Sequence, residues 1–175
     1  MSIKIKIDMY KRLIAPQLEA EITDKSHKII ILYGPRQVGK STLIRQLLQD
    51  KANSLYINAD QLIYNDVLSS RDLKKMQELI GSKTILCIDE AQNIPNIGIN
   101  LKILHDEIPD LKIIATGSSS FELANQIQEP LTGRTKMYNL FPISGREIIE
   151  NSSAFELKNQ LESLLIYGMY PEILT

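Results

Sequence analysis

The chain has 175 residues, 43% of them hydrophobic and 23% charged, and its 20 Lys and Arg against 21 Asp and Glu leave a net charge of -1. This size and apolar fraction fit one ordinary globular domain and exclude wholesale disorder, and the charge balance does not indicate nucleic acid as a partner. A single cysteine, Cys87, excludes a disulfide framework or a Cys-based metal site within one chain and points to the cytoplasm. No run approaches the roughly 18 apolar residues of a membrane span, and MSIKIKIDMY has no continuous apolar stretch, so neither membrane insertion nor secretion is expected.

In chain order, residues 1–27 read as a helical flank, with a helix over 9–24 that Pro16 must begin, kink or interrupt. KIIILY (28–33) is the first of four apolar, β-branched runs, followed by SLYIN (54–58), KTILCID (83–89) and LKIIATG (111–117). Such runs predict buried parallel strands. Helical patterns lie between them, over 40–50 with Leu43, Ile44, Leu47 and Leu48 on one face, over 61–80, and over 97–108. TKMYNL (135–140) is a weaker fifth strand, and a helix is expected after Ser144. Strands alternating with helices predict βαβ units, hence a three-layer α/β sandwich of about five mainly parallel strands. The core is expected over 28–150 and a helical tail over 151–175, with Leu157, Leu161, Leu164 and Leu165 at helical spacing.

The first strand runs directly into GPRQVGKST (34–42), which opens the first helix. This satisfies G-x-x-x-x-G-K-[ST] in the context that pattern requires. Gly34 and Gly39 permit backbone shapes that let successive N–H groups of Pro35 to Thr42, proline excepted, surround phosphate oxygens, with Arg36, Gln37 and Val38 carried in the loop. The helix N-terminus adds its partial positive charge. Lys40 is positioned for β- and γ-phosphates and the Ser41 hydroxyl for Mg²⁺. As a plain glycine turn, the same stretch would set Lys40 against the helix dipole for no gain.

The third strand ends in Asp89 and Glu90, where α/β folds place ligands. Asp89 is the expected metal carboxylate with Ser41, and Glu90 the group that polarises a water for in-line attack on the γ-phosphoryl. TGSSS (116–120) closes the fourth strand, with Ser118, or Thr116 in its place, as a partner for the attacking water or a γ-oxygen. Arg134, in LTGRTK, is the arginine best placed to reach a γ-phosphate, including one on a second copy of the chain. Cys87 reads as a core residue, and His27 and His105, far apart in sequence, as surface or helix residues. Tyr10 and Arg12 are expected neighbours of a base or ribose, and Asp60 is expected to face the site from the next crevice, with no role assigned.

With these residues in hand the chain resembles the prokaryotic AAA+-like P-loop ATPases of the archaeal-ATPase branch. GPRQVGKSTL, YINAD (56–60), ILCIDEAQNIP (85–95), IIATGSSS, LTGR, FPISGREI (141–148) and YGMYPEIL (167–174) carry the resemblance across nearly the whole chain. It implies phosphate contacts from Gly39, Lys40, Ser41 and Thr42, metal binding by Asp89, water activation by Glu90, Ser118 as sensor and Arg134 as the γ-phosphate arginine. It further implies strand order 5-1-4-3-2. Gly145 stands where that family tends to have a bulky residue, and the usual C-terminal domain is not expected within a chain ending at Thr175.

The expected activity is Mg²⁺-dependent hydrolysis of ATP to ADP and phosphate, coupled to an unknown partner or to a missing C-terminal domain, with Arg134 acting in trans in a homo-oligomer. A nucleotide-gated binding module with little hydrolysis is the alternative. Glu90 and the lack of an arginine-rich lid disfavour a small-molecule kinase, and the absence of NKxD disfavours a GTPase.

Overall fold

In the computed structural model, which describes residues 10–118, 127 and 129–174, each apolar run is a strand. β1 (Ile29–Tyr33), β2 (Ser54–Asn58), β3 (Ile85–Asp89), β4 (Lys112–Gly117) and β5 (Thr135–Asn139) form one sheet in the order β2-β3-β4-β1-β5. All pairings are parallel, and Tyr33 stands in register with Gly117 and Asn139 while Asn58 faces Asp89, so the carboxyl ends of the strands share one edge. This is the α/β P-loop order that the family resemblance implied. Burial follows position: β1 and β3 are buried throughout, whereas the edge strands β2 and β5 are only partly covered.

The sheet is covered on both faces because successive strand side chains point to opposite sides. Ile30 and Leu32 of β1 pack with Cys87 and Ile114 against Leu18 and Ile22 of α1 (Ala15–Thr23) and against Leu43, Ile44 and Leu48 of α2 (Lys40–Leu48). Ile29, Ile31 and Tyr33 face the other way, onto Leu68 of α3 (Asn65–Leu68), Met76 and Ile80 of α4 (Leu73–Ile80), and Leu101 and Leu104 of α5 (Ile97–Glu107). Pro16 lies in the first turn of α1, where its missing N–H costs no intrahelical bond. Cys87 is a fully buried core residue, and burial raises its thiol pKa well above the ordinary value.

The single helix expected over 61–80 is instead three pieces, a 3₁₀ turn at Leu62–Tyr64 and then α3 and α4. The break is local chemistry. Ser69 and Ser70 turn their hydroxyls back onto the carbonyls of Asn65 and Val67, Arg71 takes a left-handed φ of 58°, and Asp72 caps α4 by accepting from Lys75 N.

Beyond the sheet, α6 (Gly145–Asn151), α7 (Ala154–Tyr167) and α8 (Pro171–Leu174) fold back toward the start of the chain. Ile143, Ile148 and Leu164 form a small core of their own, against which Tyr10, Leu157 and Met169 pack. The leucine face of the tail is thus divided: Leu164 is buried and Leu157 half-buried, while Leu161 and Leu165 are exposed. Gly145 accommodates its neighbour without crowding, since a Cβ there would meet Leu157 at 3.6 Å, an ordinary contact.

Candidate functional site

The loop between β1 and α2 runs along the carboxyl edge of the sheet, where β1 leads away to the far edge strand β2 and β4 crosses β1 to reach β5. Ligands of α/β sheets gather at such switch points. A cavity of about 490 Å³ opens there, lined by Gln37, Gly39, Lys40, Ser41 and Thr42 of the loop, by Glu90, by Tyr10 and Arg12 ahead of α1, and by Ile143 and Pro171. Its volume lies within the range of small-molecule sites.

Its two glycines serve different purposes. Gly39 has φ 97° and caps α2, a backbone state that side chains resist. Gly34 has no such angle; a Cβ there would lie 2.5 Å from the carbonyl oxygen of Leu140, so it is a close approach between the loop and the end of β5 that demands glycine. Gln37, with φ 64°, adopts the left-handed state without being glycine. Val38 anchors the loop in the core, whereas Pro35, Arg36 and Gln37 are exposed.

Lys40 is buried to 4% exposure. Its ammonium donates to the carbonyls of Gly34 at 2.9 Å and Pro35 at 3.0 Å, and Glu90 Oε1 lies 3.9 Å away. Burial lowers its pKa, partly offset by the carboxylates of Glu90 and Asp89. Asp89 is equally buried, and both its oxygens are occupied: Tyr56 OH donates to Oδ2 and Thr116 Oγ1 to Oδ1. Burial and the neighbouring Asp89 raise the Tyr56 phenol, which keeps it a donor, and Arg45 lies 4.6 Å over its ring.

Glu90 leaves the strand with φ 54°, a strained state for a non-glycine residue of the kind that marks functional positions. Its N–H donates to Thr116 Oγ1 at 3.2 Å, and its Oε2 accepts from Gln92 Nε2 at 2.5 Å. Gln92 also donates to Ser118 Oγ at 3.2 Å. The structure therefore separates two residues that the sequence left interchangeable: Thr116 bonds the Asp89 carboxylate and the Glu90 backbone N–H, and Ser118 reaches the Glu90 carboxylate through Gln92. Asp60 does not line the cavity; it accepts from Asn93 at 2.7 Å and ties the turn after β2 to the turn after Glu90.

Arg134 is not brought to this cavity. Its carbonyl accepts from Ile29 N at 2.9 Å at the amino end of β1, about 16 Å of strand from the loop. Its guanidinium is bound to Asp106 at 2.9 and 3.0 Å, and this pairing, with His105, holds the pKa of the Asp106 carboxyl at about 2. Contact with a γ-phosphate in the same chain is thereby corrected; only a site on another copy remains open to Arg134. His27 and His105, expected to be unrelated, stack at 4.0 Å, each placing Nε2 on the other's carbonyl oxygen. Sequence separation of 78 residues concealed the pair.

Three residues of the site carried no assigned role in the sequence. Gln92 and Tyr56 had no signal beyond their place in ILCIDEAQNIP and YINAD. Glu147 had one, the S-x-x-E spacing of a capping box: Ser144 and Glu147 cap α6 reciprocally. The structure gives Glu147 more, since its Oε1 accepts from Arg12 Nε at 3.1 Å and Leu13 N at 2.8 Å while its Oε2 takes Ser144 N at 2.8 Å. Burial would raise its pKa, but these donors win and lower it. Arg12 in turn donates to the carbonyl of Val38 at 2.9 Å and to that of Phe141, so one ion pair joins the phosphate loop to both flanks.

Comparison with known proteins agrees with this geometry. The family described as AAA domain matches residues 26–149. An uncharacterized protein of Methanocaldococcus jannaschii is 28% identical over 88% of this chain and 34% of its own, and one of Mycobacterium tuberculosis is 32% identical over 69% and 26%. The chain thus spans about a third or less of the length of these curated relatives. Among solved structures, a Walker-type ATPase of Pyrococcus abyssi superposes with a TM-score of 0.65 at 19% identity, covering 95% of this chain and 65% of that one. Domain III of the Thermotoga maritima replication initiation protein DnaA gives 0.57 at 14%, covering 91% and 86%. Both likenesses speak for the fold. The chain belongs to the AAA domain family, within the P-loop AAA+-like group whose archaeal-ATPase branch its motifs resemble.

Proposed function

We propose that this protein binds ATP and hydrolyses it to ADP and phosphate, with a magnesium ion held by Ser41 and Asp89. The observation that carries the reading is the buried Lys40 ammonium, held at the mouth of the loop by two carbonyls and 3.9 Å from the Glu90 carboxylate, inside a cavity of nucleotide size. A buried cation at the start of a helix that follows a glycine-bearing loop suits an anion, and a carboxylate next to it is placed to orient a water and accept its proton. No group of three or more His, Cys, Asp and Glu able to cage a metal occurs among the described residues. The fitting donors are a hydroxyl and a buried carboxylate, the sparse all-oxygen set of an ion that keeps phosphate and water as its other ligands, as Mg²⁺ does. When bound, such an ion supplies charge neutralisation on the phosphate oxygens. The chain's own contribution is to fix the phosphates with the backbone from Gly39 to Thr42, to hold Lys40 on the β/γ oxygens, and to orient the attacking water with Glu90.

Arg134, bound to Asp106 at the opposite edge, acts in trans if it acts at all, which makes turnover depend on protein concentration. The test is phosphate release across a protein concentration series with ATP and with GTP, repeated on Glu90→Gln and Lys40→Ala. Glu90→Gln is expected to keep ATP binding and to lose turnover by about 10² to 10⁴, and Lys40→Ala to lose binding itself. Equal turnover in Glu90→Gln and parent removes Glu90 as base. Tight ATP binding without phosphate release in the parent favours instead the nucleotide-gated module, for which the exposed Leu161, Leu165 and Ile166 of α7 offer a contact face.

A further inference from the structure

Lys40 and Glu90 are opposite charges that the proposed chemistry needs apart, one for phosphate and one for water. Yet Lys40 is almost wholly removed from solvent, and after its two bonds to Gly34 O and Pro35 O a third ammonium hydrogen remains, with Glu90 Oε1 at 3.9 Å, just beyond hydrogen-bond range. In a low-dielectric pocket such a pair is expected to close. What opposes closure is on the far side of the carboxylate: Gln92 Nε2 donates to Glu90 Oε2 at 2.5 Å and is itself placed by Ser118 Oγ at 3.2 Å. The turn that carries Gln92 is anchored as well, with Ala91 fully buried beneath it and Asn93 donating to Asp60 at 2.7 Å.

We infer that Gln92 is a positioning residue that holds Glu90 short of hydrogen-bonding contact with Lys40, leaving the third ammonium hydrogen for phosphate and the carboxylate for water. This rests on the nucleotide site proposed above. A primary amide is well matched to this role, because its two N–H groups satisfy one carboxylate and one hydroxyl and it brings no charge of its own. Ser118, at the end of β4, sets the amide's other contact, so occupation of that hydroxyl by a ligand is transmitted to Glu90 through one side chain.

The test is ATP binding, measured by calorimetry on the whole chain, for Gln92→Met in the parent and in the Glu90→Gln background. Methionine keeps the length of the half-buried side chain and removes the amide. In the parent, Glu90 is then expected to close on Lys40 and to weaken ATP binding by about tenfold to a hundredfold, the range of one hydrogen bond to a charged group. In Glu90→Gln, where no carboxylate competes for Lys40, the same substitution is expected to change affinity less than about twofold. Gln92→Glu provides a second variant: like-charge repulsion drives Glu90 toward Lys40, so the weakening exceeds that of Gln92→Met. Unchanged affinity of Gln92→Met in the parent, or the same loss in both backgrounds, overturns the inference and leaves the ATP site standing. Absent ATP binding in the parent removes the site and this inference with it.

Discussion

Replacing Arg12 by methionine tests the joint between the phosphate loop and its flanks. The side chains of Arg12 and Glu147 are 8% and 7% exposed, and besides each other they hold the carbonyls of Val38 and Phe141 and the N–H groups of Leu13 and Ser144. Methionine fills most of the arginine's volume, so the loss is electrostatic: a buried carboxylate without its cation, and two carbonyls without a donor. Breaking one side of a buried pair costs about 3–5 kcal/mol. For a chain of this length that lowers the unfolding midpoint by about 10 °C. The assay is thermal or urea unfolding of the parent, Arg12→Met, Glu147→Gln and the double variant at pH 7. Glu147→Gln added to Arg12→Met is expected to recover stability, because it removes the uncompensated charge; no recovery refutes the reasoning. The pH dependence has a definite sign. A carboxyl whose folded pKa lies below its unfolded value stabilises above about pH 4.5, and that contribution is lost as pH falls through the folded pKa. The gap between parent and Arg12→Met therefore narrows in acid.

Tyr56→Phe removes one of the two hydroxyl donors to the buried Asp89 carboxylate and is expected to cost about 1.5–3 kcal/mol in urea unfolding; a loss below about 0.5 kcal/mol would show that the hydroxyl does not support the carboxylate. Arg134→Ala is expected to leave the urea-unfolding midpoint nearly unchanged, since its pair with Asp106 is about one-third exposed on both sides and is screened by solvent. If turnover rises with protein concentration as proposed, the same variant is expected to abolish that rise, and unchanged behaviour rules out Arg134 acting in trans.

Much of this protein was legible before folding was considered. The loop 34–42 is contiguous, and its chemistry depends on residues joined to one another by the chain, so strand, loop, cation and helix start appear in order along the sequence. The strands were equally legible, because central strands of a parallel sheet are apolar on both faces and read as unbroken runs. The break at residues 69–72 was less so: its cause is serine hydroxyls competing for helix carbonyls, a preference weaker than the apolar periodicity that spans it.

What tertiary structure alone decided is which side chains meet across the sheet and across its flanks. Arg12 and Glu147 are 135 residues apart, Tyr56 and Asp89 33, Gln92 and Ser118 26. No local pattern encodes these meetings, because each depends on strand order and register, which bring distant residues to one edge. By itself the sequence determined a glycine-bearing loop with Lys40 opening a helix, and the adjacent carboxylates Asp89 and Glu90 closing a buried strand. The folded sheet decided that Thr116 bonds the Asp89 carboxylate while Ser118 reaches the Glu90 carboxylate only through Gln92, and that Arg134 lies at the opposite edge. The reason is geometric: parallel strands align all their carboxyl ends on one edge, so a residue at a strand's start is separated from that site by the strand's length.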